Sequence, residues 1–418
     1  MKEPGILAID TSCDETCAAV SYGRKILSNV ISSQVNIHAK WGGVVPHLAK
    51  RAHLEKIEPV IKKALKQGQK QGQSLTGDAR ESRVGTAKPE GLSLVDNLVN
   101  NINAIAITIG PGLAPALEVG VNYAKKLAKK YNKPLIAINH MEGHLLSPLA
   151  LPNTLGLKGL SLKGIPDCKS RRARRQTKGQ TLMNKSIPFL FPAIGLLVSG
   201  GHTQLVLVKK IGDYQLLGET LDDAAGEALD KLAKMLKLGY PGGPIIEQLA
   251  KKGNPNSIDL PVPIRYSKNF NFSFSGLKTA ALYKIQGQSL TGDPANGRVG
   301  TAKPEGLSLL EKQYIHNMSA SFQQSIAISL TTKLTRAIKE FKPKSIFLGG
   351  GVINNIYIRN KIRSAVRPFK IPVHIPYNPK KLLSDNAAMI CIPAYYKFLK
   401  KDFVTDINNL DRQPNLNF

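Results

Sequence analysis

The sequence predicts a two-lobed α/β protein, and three observations carry that prediction. Short apolar runs alternate with amphipathic segments, the alternation starts a second time after about residue 188, and glycine-rich turns follow strand-like runs in both halves. In the first half, Ile6 to Asp10 has the composition of a buried strand ending in a polar turn. Leu54 to Leu65 is an amphipathic helix, Ala104 to Thr108 a second buried strand, Val119 to Lys130 a helix, and Leu135 to Ile138 a third strand. In the second half, Ala193 to Val198 and Gln204 to Val208 form a hairpin around Ser199-Gly200-Gly201-His202. Helices follow near Ala225 to Leu236 and Ser319 to Phe341, then a strand at Ser345 to Leu348. Two successive α/β units place a cleft between lobes.

Three stretches interrupt this pattern. Gln71 to Leu94 and Gln286 to Leu309 are near-copies of one another, differing only at the four positions that begin at Ala79 and Pro294. Their flanks do not match, and both are rich in Gly, Pro, Ser and Lys, so they read as insertions into surface loops rather than as an old domain duplication. Mobility is expected of them. A third stretch, Asn153 to Ile187, carries Arg171, Arg172, Arg174 and Arg175 with little apolar periodicity. The resulting organisation is an N-terminal lobe over 1–150 with an insert at about 66–94, and a basic insert over 151–187. A C-terminal lobe over 188–384 with an insert at 286–309 follows, and a segment over 385–418 returns to the first lobe.

Charge narrows the function. The 418 residues include 58 Lys and Arg against 29 Asp and Glu, a net +29, which favours a polyanionic partner, either nucleic acid or an anionic membrane surface. The inserts (66–94, 153–187 and 286–309) hold about +10 of this by their Lys and Arg against Asp and Glu, so about +19 stays with the scaffold. No apolar run approaches a membrane span, and the strand-like run at Ile6 leaves no room for a signal segment before it. Cys13, Cys17, Cys168 and Cys391 are too few and too scattered for a disulfide framework. The expectation is a soluble, cytoplasmic protein with no membrane partner.

Several motifs can carry chemistry. Asp10-Thr11-Ser12-Cys13-Asp14-Glu15-Thr16 follows a buried strand with hydroxyls suited to phosphate and adjacent carboxylates, Asp14 and Glu15, suited to base duty or a metal-bound water. Gly110-Pro111-Gly112-Leu113 stands between a strand and a helix, where glycines permit close approach of a ligand to backbone. His140 and His144 are spaced i, i+4, so on a helix both imidazoles share a face and reach one ion. With Glu142 between them the pair resembles a shuffled metallopeptidase motif, but Glu142 is out of place as that motif's general base. Ser199 to Thr203 forms a second small-residue loop, followed by Asp222, Asp223, Glu227 and Asp230, whose carboxylates suit a ribose or a metal-bound water. Tyr240-Pro241-Gly242-Gly243 is another close-approach loop, Gly349-Gly350-Gly351 leads to Asn354 and Asn355, and Ser384-Asp385-Asn386 offers a third, hard ligand. A metallopeptidase, an ATPase or kinase, and an RNA-binding scaffold all stay open on these residues taken separately.

Taken in order, DTSCDET, GPGL, NHMEGH, LVSGGHTQ, DDAAGEALDK, YPGG, FSFSGLKTA, GGGV and SDNAAM resemble the tRNA N6-adenosine threonylcarbamoyltransferase family, once described as glycoproteases. The resemblance covers nearly everything outside the inserts. It implies the actin-like ATPase duplication, shared with sugar kinases and heat-shock ATPases, and transfer of a threonylcarbamoyl group from threonylcarbamoyl-AMP to N6 of adenosine 37 of tRNA. By motif it implies His140, His144 and Asp385 as ligands of one divalent metal, iron(II) ahead of zinc(II), which polarises the transferred carbonyl. It implies Leu197, Val198, Ser199, Gly200, Gly201, Asp230, Gly243 and Asn355, with Glu247 beside them, as adenylate contacts, and Asp14 and Glu15 as the catalytic loop. Its implied partners are tRNA, the adenylate, a degenerate paralogue and a small ATPase. Two departures stand out: Asn139 where the family commonly has a second histidine, and His47 where it commonly has a glutamate.

Overall fold

The computed structural model describes residues 3–76, 99, 101–152, 189–289 and 309–418. The first lobe runs β1 (Gly5–Asp10), β2 (Glu15–Tyr22), β3 (Lys25–Ser33), α1 (Val35–His38), α2 (Pro46–Thr76), β4 (Ala104–Gly110), α3 (Ala114–Lys130), β5 (Leu135–Asn139) and α4 (His140–Leu146). The second runs β6 (Ala193–Val198), β7 (Thr203–Lys210), β8 (Asp213–Glu219), α5 (Ala225–Met235), α6 (Gly242–Ala250), α7 (Ser275–Ser289), α8 (Leu309–Phe341), β9 (Ser345–Gly349), α9 (Ile356–Val366) and β10 (Val373–His374). The short α10 (Pro379–Leu382) and then α11 (Ala387–Leu399) follow.

One topology occurs twice. The strand orders are β3-β2-β1-β4-β5 and β8-β7-β6-β9-β10. In each sheet the first three strands form an antiparallel meander, and the first strand also pairs in parallel with a strand that returns later in the chain. This is the actin-like duplication in an α/β fold, repeated lobe on lobe.

Period-two alternation assigns each strand face to a core. In β1, Leu7 and Ile9 face an outer core with Ile57, Ile61 and Val121 of α2 and α3, while Ile6 and Ala8 face a central core. In β6, Ile194, Leu196 and Val198 face the outer core of the second lobe, while Ala193 and Leu197 face the same central core. The two sheets therefore clasp one apolar layer. Met141 and Leu145 of α4 and Ile390, Cys391 and Ile392 of α11 fill it.

Some elements depart from the sequence reading. Helix α2 begins at Pro46, where the missing N–H costs nothing, and continues to Thr76, past the expected end at Leu65 and into the segment assigned to an insert. Lys, Ala, Leu and Gln sustain it, and Gly68 lies so close to β2 that a Cβ there would stand 2.8 Å from the Val20 side chain. Helix α7 likewise runs through Gln286 to Ser289, and α8 starts at Leu309, ten residues before the expected Ser319. The remainder of both repeats, and the expected basic insert with Arg171, Arg172, Arg174 and Arg175, lie outside the described residues.

Candidate metal centre and adenylate cleft

Four of the parallel-paired strands end around one place. Asp10 ends β1, Gly110 ends β4, Asn139 ends β5 and Gly349 ends β9, so the site lies at the carboxyl ends of strands, where α/β sheets bind ligands. Asn139 caps α4, accepting hydrogen bonds from the N–H groups of Met141 (2.8 Å) and Glu142 (3.3 Å). Asn386 caps α11 in the same way through Met389 N–H at 3.0 Å, which fixes Asp385 just outside the helix.

These caps bring His140, His144 and Asp385 together, with one ligating atom of each within 4.8 Å of the others. Asp385 Oδ1 stands 3.1 Å from His144 Nε2 and 3.5 Å from His140 Nε2. Asp10 Oδ2 faces the far ring nitrogen of His140, Nδ1, at 3.2 Å. Burial acts to depress His140, but the Asp10 and then the Asp385 carboxylates outweigh it and lift its pKa to about 10. His144 is lowered, chiefly by burial. Asp385 is held well below the usual carboxylate range because the pull of His140 and hydrogen bonds from both histidines overcome its desolvation. Two imidazoles, the buried Asp10 carboxylate and the partly buried Asp385 carboxylate thus demand a positive charge, and a divalent cation meets that demand. A carboxylate behind a ligating imidazole is also the usual second partner of a metal-bound histidine. The donor set fits a metal ion.

Glu142 is turned away from this cluster. Its Oε1 accepts a 2.8 Å hydrogen bond from the Tyr214 hydroxyl, and it lines a separate cavity with Lys397 and Lys400. It cannot activate water at the histidine pair, which removes the residue a peptidase would need.

The Asp10–Thr16 loop is braced from α2. His53 donates through Nε2 to the Cys13 carbonyl (3.0 Å) and accepts at Nδ1 from the Thr16 hydroxyl (2.8 Å). Leu113 N–H donates to Ser12 O at 2.8 Å, and Gly112, at φ +156°, lies where a Cβ would stand 2.4 Å from that same oxygen. Asp14 lies in the turn and is buried, whereas Glu15 is the first residue of β2, paired with Ser33. Burial, and then the Asp14 carboxylate, hold Glu15 well above the ordinary range.

In the second lobe a cleft of about 170 Å³ is lined by Gly200, Asp230, Gly243, Glu247, Asn354 and Asn355, among others. Leu197 and Val198 are fully buried strand residues and reach it with no side chain, and Gly201 is not in its wall. Ser199 closes the turn, its hydroxyl accepting from His202 N–H at 3.1 Å. Asp230 spends one oxygen on the N–H groups of Gly242 and Gly243 (2.7 and 3.2 Å), so Gly242 and Gly243 open helix α6 rather than a free loop. Asn355 is committed too: it caps α9 through Ile358 N–H and donates to Gln323. Asp222 and Asp223 are not ligand contacts. Asp222 accepts from Ser273, Phe274 and Ser275 at the start of α7, and Asp223 pairs with Lys231 and Lys278. Their charge is spent inside the lobe.

The family model for tRNA N6-adenosine threonylcarbamoyltransferase matches residues 25–77, 90–157 and 178–392. The chain is similar to proteins of that name from Moorella thermoacetica (38% identity, covering 96% of this chain and 94% of the relative) and Thermosipho melanesiensis (39%, 99% and 99%). A third, from Thermomicrobium roseum, is 40% identical over 94% of this chain and 91% of its own. The chain belongs to the tRNA N6-adenosine threonylcarbamoyltransferase family.

The threonylcarbamoyltransferase family's match leaves out 78–89 and 158–177, which fall within two of the expected inserts, and runs through 286–309. Three residues with a place in this site were not singled out from sequence: Asp10, His53 and His202. His202 is lowered to about 4, chiefly by burial, and its N–H closes the turn from which Gly200 lines the cleft. Asp10 had one legible signal, a carboxylate ending an otherwise apolar strand. Among the described residues no helix is long and apolar enough to cross a membrane.

Proposed function

We propose that this chain transfers the threonylcarbamoyl group of threonylcarbamoyl-AMP to N6 of adenosine 37, in tRNAs reading codons that start with A. The product is N6-threonylcarbamoyladenosine, and AMP leaves. The observation that carries this reading, beside family membership, is the Gly349–Gly351 turn. A Cβ on Gly349 would stand 2.4 Å from the His144 carbonyl oxygen, while Gly351 lines the cleft, so a nucleotide site and a metal site share one wall.

His140, His144 and Asp385 hold the metal, and Asp10 orients His140. Lewis-acid polarisation of the carbamoyl carbonyl is the chemistry such an ion supplies when bound. Two histidines and one carboxylate, with no thiolate, favour iron(II) ahead of zinc. In the transfer the bond from the carbamoyl carbon to the AMP phosphate oxygen breaks, the bond to N6 forms, and N6 gives up one proton. A carboxylate of the adjacent Asp14–Glu15 pair accepts that proton. Backbone N–H groups of the Gly200 and Gly351 turns, with the Asp230, Gly243 and Asn355 wall, hold the adenylate. Leu197 and Val198 support the turn from beneath. The reaction takes place in the cytoplasm, with a degenerate paralogue and a small ATPase as partners, as the family resemblance implies.

Depleting the protein and measuring tRNA nucleosides by mass spectrometry tests the reading. Loss of N6-threonylcarbamoyladenosine is expected; an unchanged level overturns it.

A further inference from the structure

A second cavity, of about 200 Å³, adjoins the adenylate cleft and shares Asp230 with it as a common wall. Its sides come from both lobes: Ala39 and Gly42 from the loop after α1, and Lys234, Lys237 and Tyr240 from the end of α5 and beyond. The lobes nearly touch here, for a Cβ on Gly42 would stand 3.7 Å from the Lys234 ammonium. Tyr240 lines this cavity together with Asp230, and burial and next the Asp14 and Asp230 carboxylates hold it above its ordinary range. At the rim, between the two lining residues of the first lobe, Trp41 is 65% exposed and Lys40 is exposed as well.

The loop that presents Trp41 is tied to the catalytic loop. Buried His38 bonds Gln34 Oε1 through Nε2 (3.1 Å) and accepts Val45 N–H at Nδ1 (3.3 Å). Gln34 N–H in turn donates to Asp14 O at 3.0 Å. An exposed indole with lysines at the mouth of a polar cavity is the arrangement that grips a splayed-out nucleotide, with stacking for the base and ammonium groups for the phosphates.

We propose that this cavity is the acceptor subsite, which takes an unstacked RNA nucleotide past Trp41 and places its base beside Tyr240, with Lys234 and Lys237 on the flanking phosphates. This inference rests on the transferase reading and adds where its acceptor enters. Donor and acceptor then meet across Asp230, each from its own cavity.

Trp41 is the single tryptophan of the chain, so its fluorescence reports this rim alone. Titrating the full chain with an anticodon stem-loop RNA should quench that emission saturably. Trp41→Ala and Lys234→Glu should each weaken the RNA, measured by anisotropy, about tenfold while AMP affinity by calorimetry stays unchanged. RNA that binds without altering the emission, RNA that does not bind, or wild-type RNA affinity in both variants overturns the proposal. Quenching by AMP or L-threonine but not by RNA also overturns it and gives the cavity to the donor. Wild-type transfer to tRNA is measured in parallel: if transfer occurs and the quench does not, only the acceptor subsite falls, whereas absent transfer counts against the function itself.

Discussion

His140 is gripped at both ring nitrogens, by Asp10 on one side and Asp385 on the other. The i, i+4 histidine pair was legible because helical spacing is a local property. The pairing of Asp10 with His140 was not, because His140 follows a different strand and only the parallel pairing of β1 with β4, and of β4 with β5, brings them together. Asp10→Asn keeps the shape but removes the charge behind the imidazole. Metal affinity, measured by titration of the metal-free protein, should fall about 10- to 100-fold with the fold intact; unaltered affinity would show that Asp10 does not orient the ligand. His53 makes a separate prediction. Burial lowers its pKa, so the folded protein binds it neutral while the unfolded chain takes up a proton below the ordinary histidine pKa of 6.5. Stability from this residue is present above that value and is lost as pH falls from 6.5 towards the lowered pKa. Replacing His53 with Ala should cost about 1–3 kcal/mol at neutral pH, from the stranded Thr16 hydroxyl and Cys13 carbonyl. It should also flatten the fall in stability across that pH window, followed by urea unfolding at several pH values.

At the scale of elements, the tail after α11 has a structural task that composition did not announce. Gln413 N–H donates to Ile109 O, Gly112 N–H donates to Pro414 O (3.1 Å), and the Asn139 amide donates to Asn417 O (3.1 Å). Phe418 then packs edge-on against Tyr214 of the second lobe, with centroids 5.6 Å apart. The tail therefore spans the Gly110–Gly112 turn, the cap of α4 and the far lobe. Asn139, a departure from the family pattern, serves as both cap and tail anchor. Removing residues 411–418 should lower stability by about 2–4 kcal/mol, as three hydrogen bonds and a ring contact would suggest. Unchanged thermal unfolding would deny the tail this role. The long helices were legible in their middles, where apolar residues recur at helical spacing. Their ends were not, since α2 extends to Thr76 through polar residues that form helix without announcing it. Asp222 and Asp223 were misread for a related reason: a carboxylate suited to a ligand looks the same in sequence as one suited to a helix start.

At the scale of the molecule, the two-lobed α/β architecture was legible because strand and helix signals restart halfway along the chain. The meander strands β2, β3 and β8 were harder to see, because polar residues such as Thr16, Ser21, Ser28, Asn29 and Gln215 interrupt their apolar pattern. The charge of +29 makes its own prediction. Affinity for tRNA should fall steeply with salt, log affinity declining linearly with log salt concentration as phosphate contacts release counterions; affinity that is flat between low and physiological salt would contradict a basic RNA-binding face. The central claim is narrower. It holds that His140, His144 and Asp385 form the metal centre of a threonylcarbamoyl transferase. Its most direct test is the transfer of threonylcarbamoyl from its adenylate to tRNA by purified His140→Ala protein, with circular dichroism confirming the fold. Loss of transfer in a folded, metal-depleted variant is the predicted result; full transfer by that variant would contradict the account.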